Sequence, residues 1–469
     1  MRHSCGLVGI WSAKEINMPE QLFYPLFSLQ HRGQESAGIA YLRDGVPVTY
    51  KDLGMVSSVL SHYLSESHPS RIGIAHVRYS TRGRNRLENA QPITVNCNKG
   101  WTSLVHNGTI SNSRSLRREL FSEGSIFQTG TDSELILHLL SRSSRANFLE
   151  ALREILRLLE GAFNLLILRE DCLVAVRDPW GFRPLVLGGS EGGIVLASET
   201  CALDILQMAG RREVEPGELI VVDANGLRTD RFSGPAPKRH CIFELIYFAR
   251  PDSVVFGQSV YATRERMGES LADDDPHPGD VVIPVPDSGI SAAVGYANRS
   301  GLPLKMGLTR NHYTGRTFIQ PSARDREFGV RMKLHPVTEV IRGRRVTLID
   351  DSLVRGTTSG IIVKLLRDAG AAEIHLRLSA PEVKFPCHYG IDIPTEEELI
   401  SNRMDPERVA HHIGADSVRF LPIDRLKLSV ADPASCCYAC FDGRNPCEQT
   451  GGEDGSHDIP AGRRRREKG

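Results

Sequence analysis

The sequence contains no apolar run approaching the roughly 20 residues that a membrane-spanning helix needs. Its first residues also lack the apolar core of a secretory signal. Basic and acidic side chains balance, with 57 Lys plus Arg against 57 Asp plus Glu. Net charge therefore gives no reason to expect nucleic acid or a membrane surface as a partner. We expect a cytoplasmic protein.

Cysteine is scarce as well, with ten in 469 residues. That is too few for a disulfide scaffold in so long a chain, and clustered cysteines in a reducing compartment suggest a metal. Cys437 and Cys440 form a Cys-x-x-Cys pair, while Cys241 and Cys387 stand alone on distant segments. Zinc and an iron–sulfur cluster can both use four thiolates, and the spacing does not separate them.

The chain divides into two large units. Residues 5–235 show short apolar runs between Gly, Asn, Asp and Ser turns, which predicts a β-rich α/β domain. The second unit covers residues 255–430, and from about residue 278 its strands alternate with helices, which favours a parallel sheet. A cysteine-bearing segment, 431–447, follows, and the Gly-rich, charged tail 448–469 is expected to be disordered. Within the second domain the pattern predicts strands at 281–285, 302–308, 346–349 and 373–379 and a helix at 357–369.

Cys5 opens an apolar run close to the start of the chain. Removal of residues 1–4, a short propeptide in this interpretation, would leave a cysteine with a free α-amino group. Such an amine titrates near pH 8 and can take the thiol proton, so nucleophile and base would lie on one residue. The alternative is a structural cysteine in a buried strand.

The segment 346–360 carries the most specific pattern in the chain. An apolar strand ends in Asp350 and Asp351, and the turn Gly356-Thr357-Thr358 then begins a helix. Backbone N–H groups at a helix start form an anion site. Two carboxylates just before it can hold ribose hydroxyls or Mg²⁺, although an ordinary strand-to-helix turn would contain similar residues.

This segment resembles the phosphoribosyl pyrophosphate (PRPP) signature of type I phosphoribosyltransferases. The resemblance implies that the two acids contact the ribose and its metal and that the following turn binds the 5′-phosphate. Residues 283–290, with Ser288, resemble the pyrophosphate loop of that family. The cation-rich segment 313–333, which includes Arg316 and Lys333, is interpreted as a lid loop that closes over a polyanion.

The first domain contains residues suited to glutamine hydrolysis. Arg78 suits the α-carboxylate of glutamine, because guanidinium binds carboxylate bidentately. Asp132, at a predicted helix start, suits the α-ammonium, although a simple helix cap is the alternative. Asn107 and the N–H of Gly108 can form an oxyanion hole, and a hairpin turn is the alternative for that His-Asn-Gly tripeptide.

Together with the segments 30–36, 76–81 and 130–134, these motifs resemble the glutaminase domain of the N-terminal-nucleophile amidotransferases. With the second half included, residues 5–440 resemble the amidophosphoribosyltransferase family, in its iron–sulfur-bearing branch. The resemblance implies an α/β protein: an α+β sandwich glutaminase domain, then a type I phosphoribosyltransferase domain. It also implies a pentosyltransferase that makes 5-phosphoribosylamine from PRPP and glutamine-derived ammonia at the start of purine synthesis.

The resemblance also implies specific residue roles, cofactors and partners. Expected partners are glutamine and PRPP, purine nucleotides as feedback inhibitors, and other copies of the chain in a homo-oligomer. Cys436 is ranked below Cys437 as a ligand, because only Cys437 has the two-residue spacing to Cys440. The implied roles are nucleophile for Cys5; glutamine binding for Arg32, Arg78, Thr81 and Asp132; oxyanion stabilisation for Asn107 and Gly108; Mg²⁺ for Ser288, Asp350 and Asp351; PRPP binding for Arg316, Lys333, Asp350, Asp351, Gly356, Thr357 and Thr358; and a [4Fe-4S] cluster for Cys241, Cys387, Cys437 and Cys440.

Two rival functions stay open at this stage. One is a non-catalytic PRPP-sensing regulator, against which the lid cations and the two acids argue. The other is a synthase whose glutaminase half is inactive because Cys5 stays capped by residues 1–4. Phosphoribosylamine formation with glutamine, and then with free ammonium, distinguishes all three.

Overall fold

The computed structural model describes residues 5–79, 85–273, 275, 279–311, 323–393 and 395–447, and for residues 323–327 it describes only the backbone. None of the helices in these ranges is long and apolar enough to cross a membrane.

The first half of the chain contains most of the strands. Its elements are β1 (Gly6–Asn17), α1 (Met18–Ser28), β2 (Ser36–Arg43), β3 (Val46–Leu53), α2 (Val56–Leu60), β4 (Pro69–Arg78), β5 (Ile93–Cys97), β6 (Gly100–Ile110), α3 (Ser113–Ser122), α4 (Ser133–Arg142), α5 (Phe148–Leu156), β7 (Gly161–Arg169), β8 (Leu173–Arg177), β9 (Val186–Ser190), β10 (Gly193–Ala197), α6 (Thr200–Ile205), β11 (Arg212–Glu213), β12 (Glu218–Asp223) and β13 (Gly226–Arg231).

These strands form two antiparallel sheets that pack face to face. The orders are β11-β9-β10-β1-β4-β2-β3 and β13-β12-β8-β7-β6-β5. Alternation along β1 shows the layering, because Leu7 packs between the sheets while Val8 packs under the helices on the outer face. Helices α1, α2 and α6 cover the first sheet, and α4 and α5 cover the second. The result is a four-layer αββα sandwich.

The second half begins after a short connection. Its elements are β14 (His240–Cys241), a π-helical turn (Glu244–Phe248), β15 (Val254–Val255), β16 (Gln258–Ser259), α7 (Val260–Asp273), β17 (Val281–Pro284), α8 (Ile290–Ser300), β18 (Leu308–Arg310), α9 (Ala323–Lys333), β19 (Leu334–Pro336), α10 (Thr338–Ile341), β20 (Arg345–Asp350), α11 (Thr357–Asp368), β21 (Glu373–Leu378), α12 (Ile400–Arg403), α13 (Pro406–Ile413), β22 (Ser417–Phe420), α14 (Ile423–Leu428), β23 (Cys436–Cys437) and α15 (Ala439–Asp442).

A parallel sheet of order β17-β20-β21-β22 forms the centre of this half. Val346 of β20 is level with Val281 of β17 and with Ile374 of β21. The strands are buried on both faces, by two separate apolar clusters. Because parallel strands end at one edge, the loops after β17 and β20 lie side by side.

Two sequence predictions differ from the structure here. Residues 302–308 are not a strand of the parallel sheet: Leu304 makes a single bridge to Val282, and β18 begins at Leu308 and pairs antiparallel with β19. Pro303 cannot donate a ladder hydrogen bond, which explains the interruption. The segment interpreted as a lid loop contains helix α9 over its last 11 residues, and residues 312–322 lie outside the described ranges.

Candidate functional site

A narrow pocket surrounds the Cys5 thiol at the start of β1. The Cys5 Sγ donates to the carbonyl oxygen of Tyr79 over 3.6 Å. The described residues leave a cavity of about 20 Å³, enough for one water. It is lined by Cys5, Arg78, Tyr79, Gln91, His106, Gly108, Thr131, Asp132 and Ser133.

The structure brings two of the predicted glutamine-binding residues, Arg78 and Asp132, to this pocket. Arg78 lies at the end of β4, next to β1, and is 3% exposed. Asp132 precedes α4, but within the described structure its carboxylate caps no N–H of that helix. It accepts the backbone N–H of Ile110 over 2.9 Å instead. Thr81 lies outside the described residues.

The predicted oxyanion residues lie inside β6. The hairpin-turn alternative for residues 106–108 is therefore wrong. Among the described residues, the side-chain amide of Asn107 has no hydrogen-bond partner although it is buried. Gly108 has φ +145°, and a Cβ there would lie 2.0 Å from the Ala162 carbonyl oxygen, so only glycine fits.

Burial dominates the electrostatics of the pocket. It raises the pKa of the Cys5 thiol, although the cations of Arg78 and Arg32 pull the other way. It lowers the pKa of His76 to about 3 and also lowers the pKa of His106. At neutral pH the thiol is therefore protonated and both imidazoles are uncharged. The nucleophile needs a base to become a thiolate.

Arg32 supports the pocket from behind. Its Nε donates to the Cys5 carbonyl oxygen over 2.9 Å. Its Nη1 contacts Glu199 at 2.6 Å, and its Nη2 contacts Glu244 at 2.8 Å. All three side chains are fully buried. This arrangement agrees with Arg32 as a support for the glutamine site; a direct contact between Arg32 and glutamine stays a prediction.

Sequence reasoning did not single out several residues of this site. The Oε1 of Gln91 accepts the backbone N–H of His106 over 2.6 Å, and its Nε2 donates to Ser133 Oγ over 3.1 Å. Gln91 therefore links two walls of the pocket. Glu199 pairs with Arg32 from a position 167 residues away. Nothing in the local pattern around either residue signals these contacts, because both depend on the folded sandwich.

The second candidate site lies where β20 ends. Asp350 and Asp351 are 9% and 7% exposed. Burial, and then the charge of Asp351, raise the pKa of Asp350 well above its usual range. A bound cation would offset the repulsion between these carboxylates, so this donor set suits Mg²⁺.

The turn that carries Ser288 adjoins the same strand end. The N–H of Val285 donates to the Ile349 carbonyl oxygen over 2.8 Å. A Cβ on Gly289 would lie 2.4 Å from that oxygen, so glycine allows the close approach. Ser288, half-buried, therefore lies on the loop beside the two acids.

The predicted phosphate turn has the expected backbone. Gly356 has φ +76° and immediately precedes α11. Thr357 and Thr358 are exposed in the first turn, where backbone N–H groups and the helix dipole attract anions. Lys333 ends α9, and α9 packs against α11, with Arg331 3.8 Å from Asp368. Arg316 lies outside the described residues.

One buried arginine, Arg264, lies close to the carboxylates behind Cys5. Its guanidinium donates to the carbonyl oxygens of Leu245 and Ala249, each over 2.8 Å. The residues that adjoin these two, Glu244 and Arg250, contact Arg32 and Glu199 respectively. Burial lowers the pKa of Arg264 to about 10, while the charges of Asp351 and Glu199 raise it.

The four predicted cluster cysteines come from three distant segments to one region. Cys241 is level with Cys437 in the parallel bridge between β14 and β23. The N–H groups of Lys384 and Phe385 donate to the Cys440 carbonyl oxygen at 3.0 and 3.1 Å, which brings the Cys387 segment alongside.

Burial raises the pKa of Cys440 well above its usual range, and the thiols of Cys437, Cys387 and Cys241 raise it further. Cys436 instead donates to the Asp432 carbonyl oxygen over 3.6 Å. In the described ranges no three His, Cys, Asp or Glu side chains have the spacing of a bound metal. The four thiols are thus neighbours that fit a thiolate-bound group by chemistry, although their sulfur atoms are not arranged as a finished ligand set.

Comparisons with known proteins agree with this architecture. Residues 76–204 match the family model of a glutamine amidotransferase domain. The chain is 49% identical to a chloroplastic amidophosphoribosyltransferase of Glycine max, over 95% of this chain and 79% of the relative. It is 44% identical to the amidophosphoribosyltransferase of Methanocaldococcus jannaschii, over 95% of this chain and 98% of the relative.

A solved structure of glutamine PRPP amidotransferase from B. subtilis, complexed with ADP and GMP, superimposes with a TM-score of 0.87. Its sequence is 43% identical, and the match covers 94% of this chain and 97% of that one. A second structure, described as the allosteric regulatory enzyme of purine biosynthesis, superimposes with a TM-score of 0.88 at 42% identity, over 94% and 96% of the two chains.

Fold and sites define a glutamine amidotransferase whose glutaminase domain is joined to a phosphoribosyltransferase domain. This is a glycosyltransferase class that takes its nitrogen from glutamine. With identities of 44–49% over most of the chain, the protein belongs to the amidophosphoribosyltransferase family of purine biosynthesis.

Proposed function

We propose that this chain makes 5-phosphoribosylamine with two cooperating sites, one at Cys5 and one at Asp350 and Asp351. The first releases ammonia from glutamine and the second adds it to PRPP. Two arrangements carry the proposal. Asn107 and Gly108 of β6 lie beside the half-buried Cys5 thiol, and two acids at the end of β20 lie beside the start of helix α11.

In the first site the Cys5 thiol attacks the amide carbonyl of glutamine. Its own α-amine, freed by removal of residues 1–4, takes the thiol proton. A base is needed because burial raises the pKa of the thiol, and His106 is a weak base because burial lowers the pKa of its imidazole. The C–N bond then breaks, ammonia leaves with the proton taken from the thiol, and water hydrolyses the glutamyl thioester to glutamate and free Cys5. Asn107 and the Gly108 N–H stabilise the oxyanion. Arg78 holds the carboxylate of glutamine and Asp132 its ammonium.

In the second site Asp350 and Asp351 hold the ribose of PRPP and, with Ser288, would hold Mg²⁺. When bound, Mg²⁺ supplies positive charge that stabilises the departing pyrophosphate. The N–H groups and hydroxyls of Thr357 and Thr358, after Gly356, bind the 5′-phosphate. Lys333 and Arg316 contribute cations toward the pyrophosphate, and ammonia enters at C1 from the opposite face.

Ammonia passes between the two sites inside the protein in this proposal. An internal route keeps ammonia uncharged and away from water, where it would take up a proton.

The four neighbouring thiols of Cys241, Cys387, Cys437 and Cys440 would hold one [4Fe-4S] cluster. The parallel bridge between Cys241 and Cys437 supports this, because it ties the connection between the domains to the C-terminal segment. The group would act as a structural clasp. Zinc is the alternative occupant of the same thiols.

Regulation and assembly complete the proposal. The B. subtilis relative is described in complex with ADP and GMP, and we extend nucleotide binding to this chain as feedback inhibition by purine nucleotides. We also expect a homo-oligomer.

The test is phosphoribosylamine formation from PRPP, first with glutamine and then with ammonium chloride. The wild-type chain should use both nitrogen donors. Asp351→Asn should lose synthesis with either donor by at least about 100-fold while it still hydrolyses glutamine. Asp368→Asn, an exposed acid at the end of α11, serves as the matched control and should resemble wild type. No synthesis with either donor would favour the sensor function, and synthesis with ammonium alone would favour the capped glutaminase.

A further inference from the structure

A loop of the second half, residues 387–390, packs directly on β6 of the first half, the strand that contains the proposed oxyanion residues Asn107 and Gly108. Gly390 has φ +102°. A Cβ at this position would lie 3.1 Å from the backbone carbonyl carbon of Gly108, 3.2 Å from Arg183 Nη2 and 3.3 Å from Thr109 Oγ1. A side chain at residue 390 would therefore press against Gly108, whose N–H is proposed to stabilise the oxyanion.

Gly108 has little freedom to move away from such a push. A Cβ on Gly108 would lie 2.0 Å from the Ala162 carbonyl oxygen in β7. The backbone of Gly108 is thus confined by two neighbouring backbones, one from each half of the chain. Its position depends on where residue 390 lies.

A second connection runs from the same loop to the nucleophile. The carbonyl oxygen of Tyr389 accepts Arg183 Nη2 over 3.0 Å. Arg183 Nη1 contacts Glu244 at 3.2 Å, and Glu244 binds Arg32 at 2.8 Å. Arg32 donates to the Cys5 carbonyl oxygen over 2.9 Å. The three charged side chains are fully buried, so this connection has a fixed geometry.

We propose that Tyr389 and Gly390 are positioning residues for glutamine hydrolysis. Gly390 holds the backbone of Gly108 in its oxyanion position, and Tyr389 holds Arg183 and, through Glu244 and Arg32, the main chain of Cys5. Glutamine is then cleaved efficiently only when this loop of the second half is in place. The inference rests on the proposed function and adds a role that sequence motifs did not suggest.

The decisive variant is Gly390→Ala, with Gly226→Ala as its matched control. Gly226 has φ +104°, close to the value at Gly390, and a Cβ there meets no atom within 4 Å. The two variants therefore place alanine at nearly the same positive φ, and only Gly390→Ala adds contacts, with Gly108, Arg183 and Thr109. Both are assayed with glutamine and with ammonium chloride as nitrogen donors.

Gly390→Ala should lower kcat for glutamine-dependent synthesis about tenfold or more, because oxyanion donors lose effect when displaced by fractions of an ångström. The KM for glutamine and the ammonia-dependent rate should stay within about twofold of wild type, since Arg78, Asp132 and the second site are untouched. Alkylation of Cys5 by iodoacetamide should keep its wild-type rate. Gly226→Ala should match wild type throughout.

Arg183→Lys tests the second connection separately. Lysine keeps the charge beside Glu244 but cannot span both Glu244 and Tyr389 as the guanidinium does. We expect about a threefold loss of glutamine-dependent kcat with ammonia-dependent synthesis retained.

Two results would overturn this inference without affecting the proposed function. One is a Gly390→Ala variant that is as active with glutamine as Gly226→Ala. The other is an equal loss of glutamine-dependent and ammonia-dependent synthesis in both Gly390→Ala and Arg183→Lys, which would indicate a role in folding only. A wild-type chain without glutamine-dependent synthesis would overturn the proposed function and this inference with it.

Discussion

Glu244→Gln tests the buried charges behind the nucleophile. Glu244 faces Arg32 at 2.8 Å and Arg183 at 3.2 Å, with all three side chains fully buried. The substitution keeps the shape and one acceptor oxygen but removes the negative charge between two guanidinium groups. Arg32 keeps its contact with Glu199 at 2.6 Å, whereas Arg183 loses the carboxylate that it contacts at 3.2 Å.

The expected effect is a large loss of stability. Breaking a buried pair by removing one partner costs about 3–5 kcal/mol. We take about 3 kcal/mol because glutamine still accepts one hydrogen bond. In a unit of this size each kcal/mol shifts Tm by about 2–4 °C, so Tm should fall by about 6–12 °C.

Differential scanning calorimetry measures this shift, with Glu154→Gln as the control. Glu154 pairs with Arg145 at 3.4 Å, but the two side chains are 46% and 59% exposed. Such a surface pair contributes less than about 1 kcal/mol, so the control should melt within about 2 °C of wild type. If Glu244→Gln also melts within that margin, the buried charges do not stabilise the fold as we argue.

Three further predictions follow from the sites. Because burial raises the pKa of Cys5, its alkylation by iodoacetamide, followed by peptide mass spectrometry, should speed up about tenfold per pH unit from pH 7 to 8.5; a plateau below pH 8 would contradict this. Protein purified without oxygen should be brown with about four irons per chain. Cys437→Ser should lose colour and iron, while Cys436→Ser keeps both. Metal analysis that finds one zinc and no iron would contradict the iron–sulfur assignment. The intact mass of glutamine-active protein should lack residues 1–4; full activity with that tetrapeptide retained would require another base, such as His106.

Local patterns in the sequence predicted those parts of the sites that depend on one segment. Asp350 ends β20, Asp351 follows it, and Gly356 immediately precedes α11, as the strand-turn-helix pattern predicted. This prediction succeeds because these residues are neighbours in the chain. The prediction of a strand at 302–308 was wrong, since a proline and the tertiary packing overrode the apolar run.

Contacts across the fold could not be predicted in the same way. Glu199 meets Arg32, and Gly390 meets Gly108, only after strands and loops far apart in sequence have packed. The tripeptide at Asn107 illustrates the same limit: a Gly-containing turn and a buried strand fit its local sequence equally, and the pairing of β6 with β7 decides between them.

The most direct test of two cooperating sites is Cys5→Ala assayed with both nitrogen donors. The account predicts that glutamine-dependent synthesis of phosphoribosylamine disappears, because the first site alone uses a thiol. Ammonia-dependent synthesis should stay within about twofold of wild type, because Asp350 and Asp351 are unchanged. Equal loss of both activities, or glutamine-dependent synthesis that persists without the Cys5 thiol, would contradict the account.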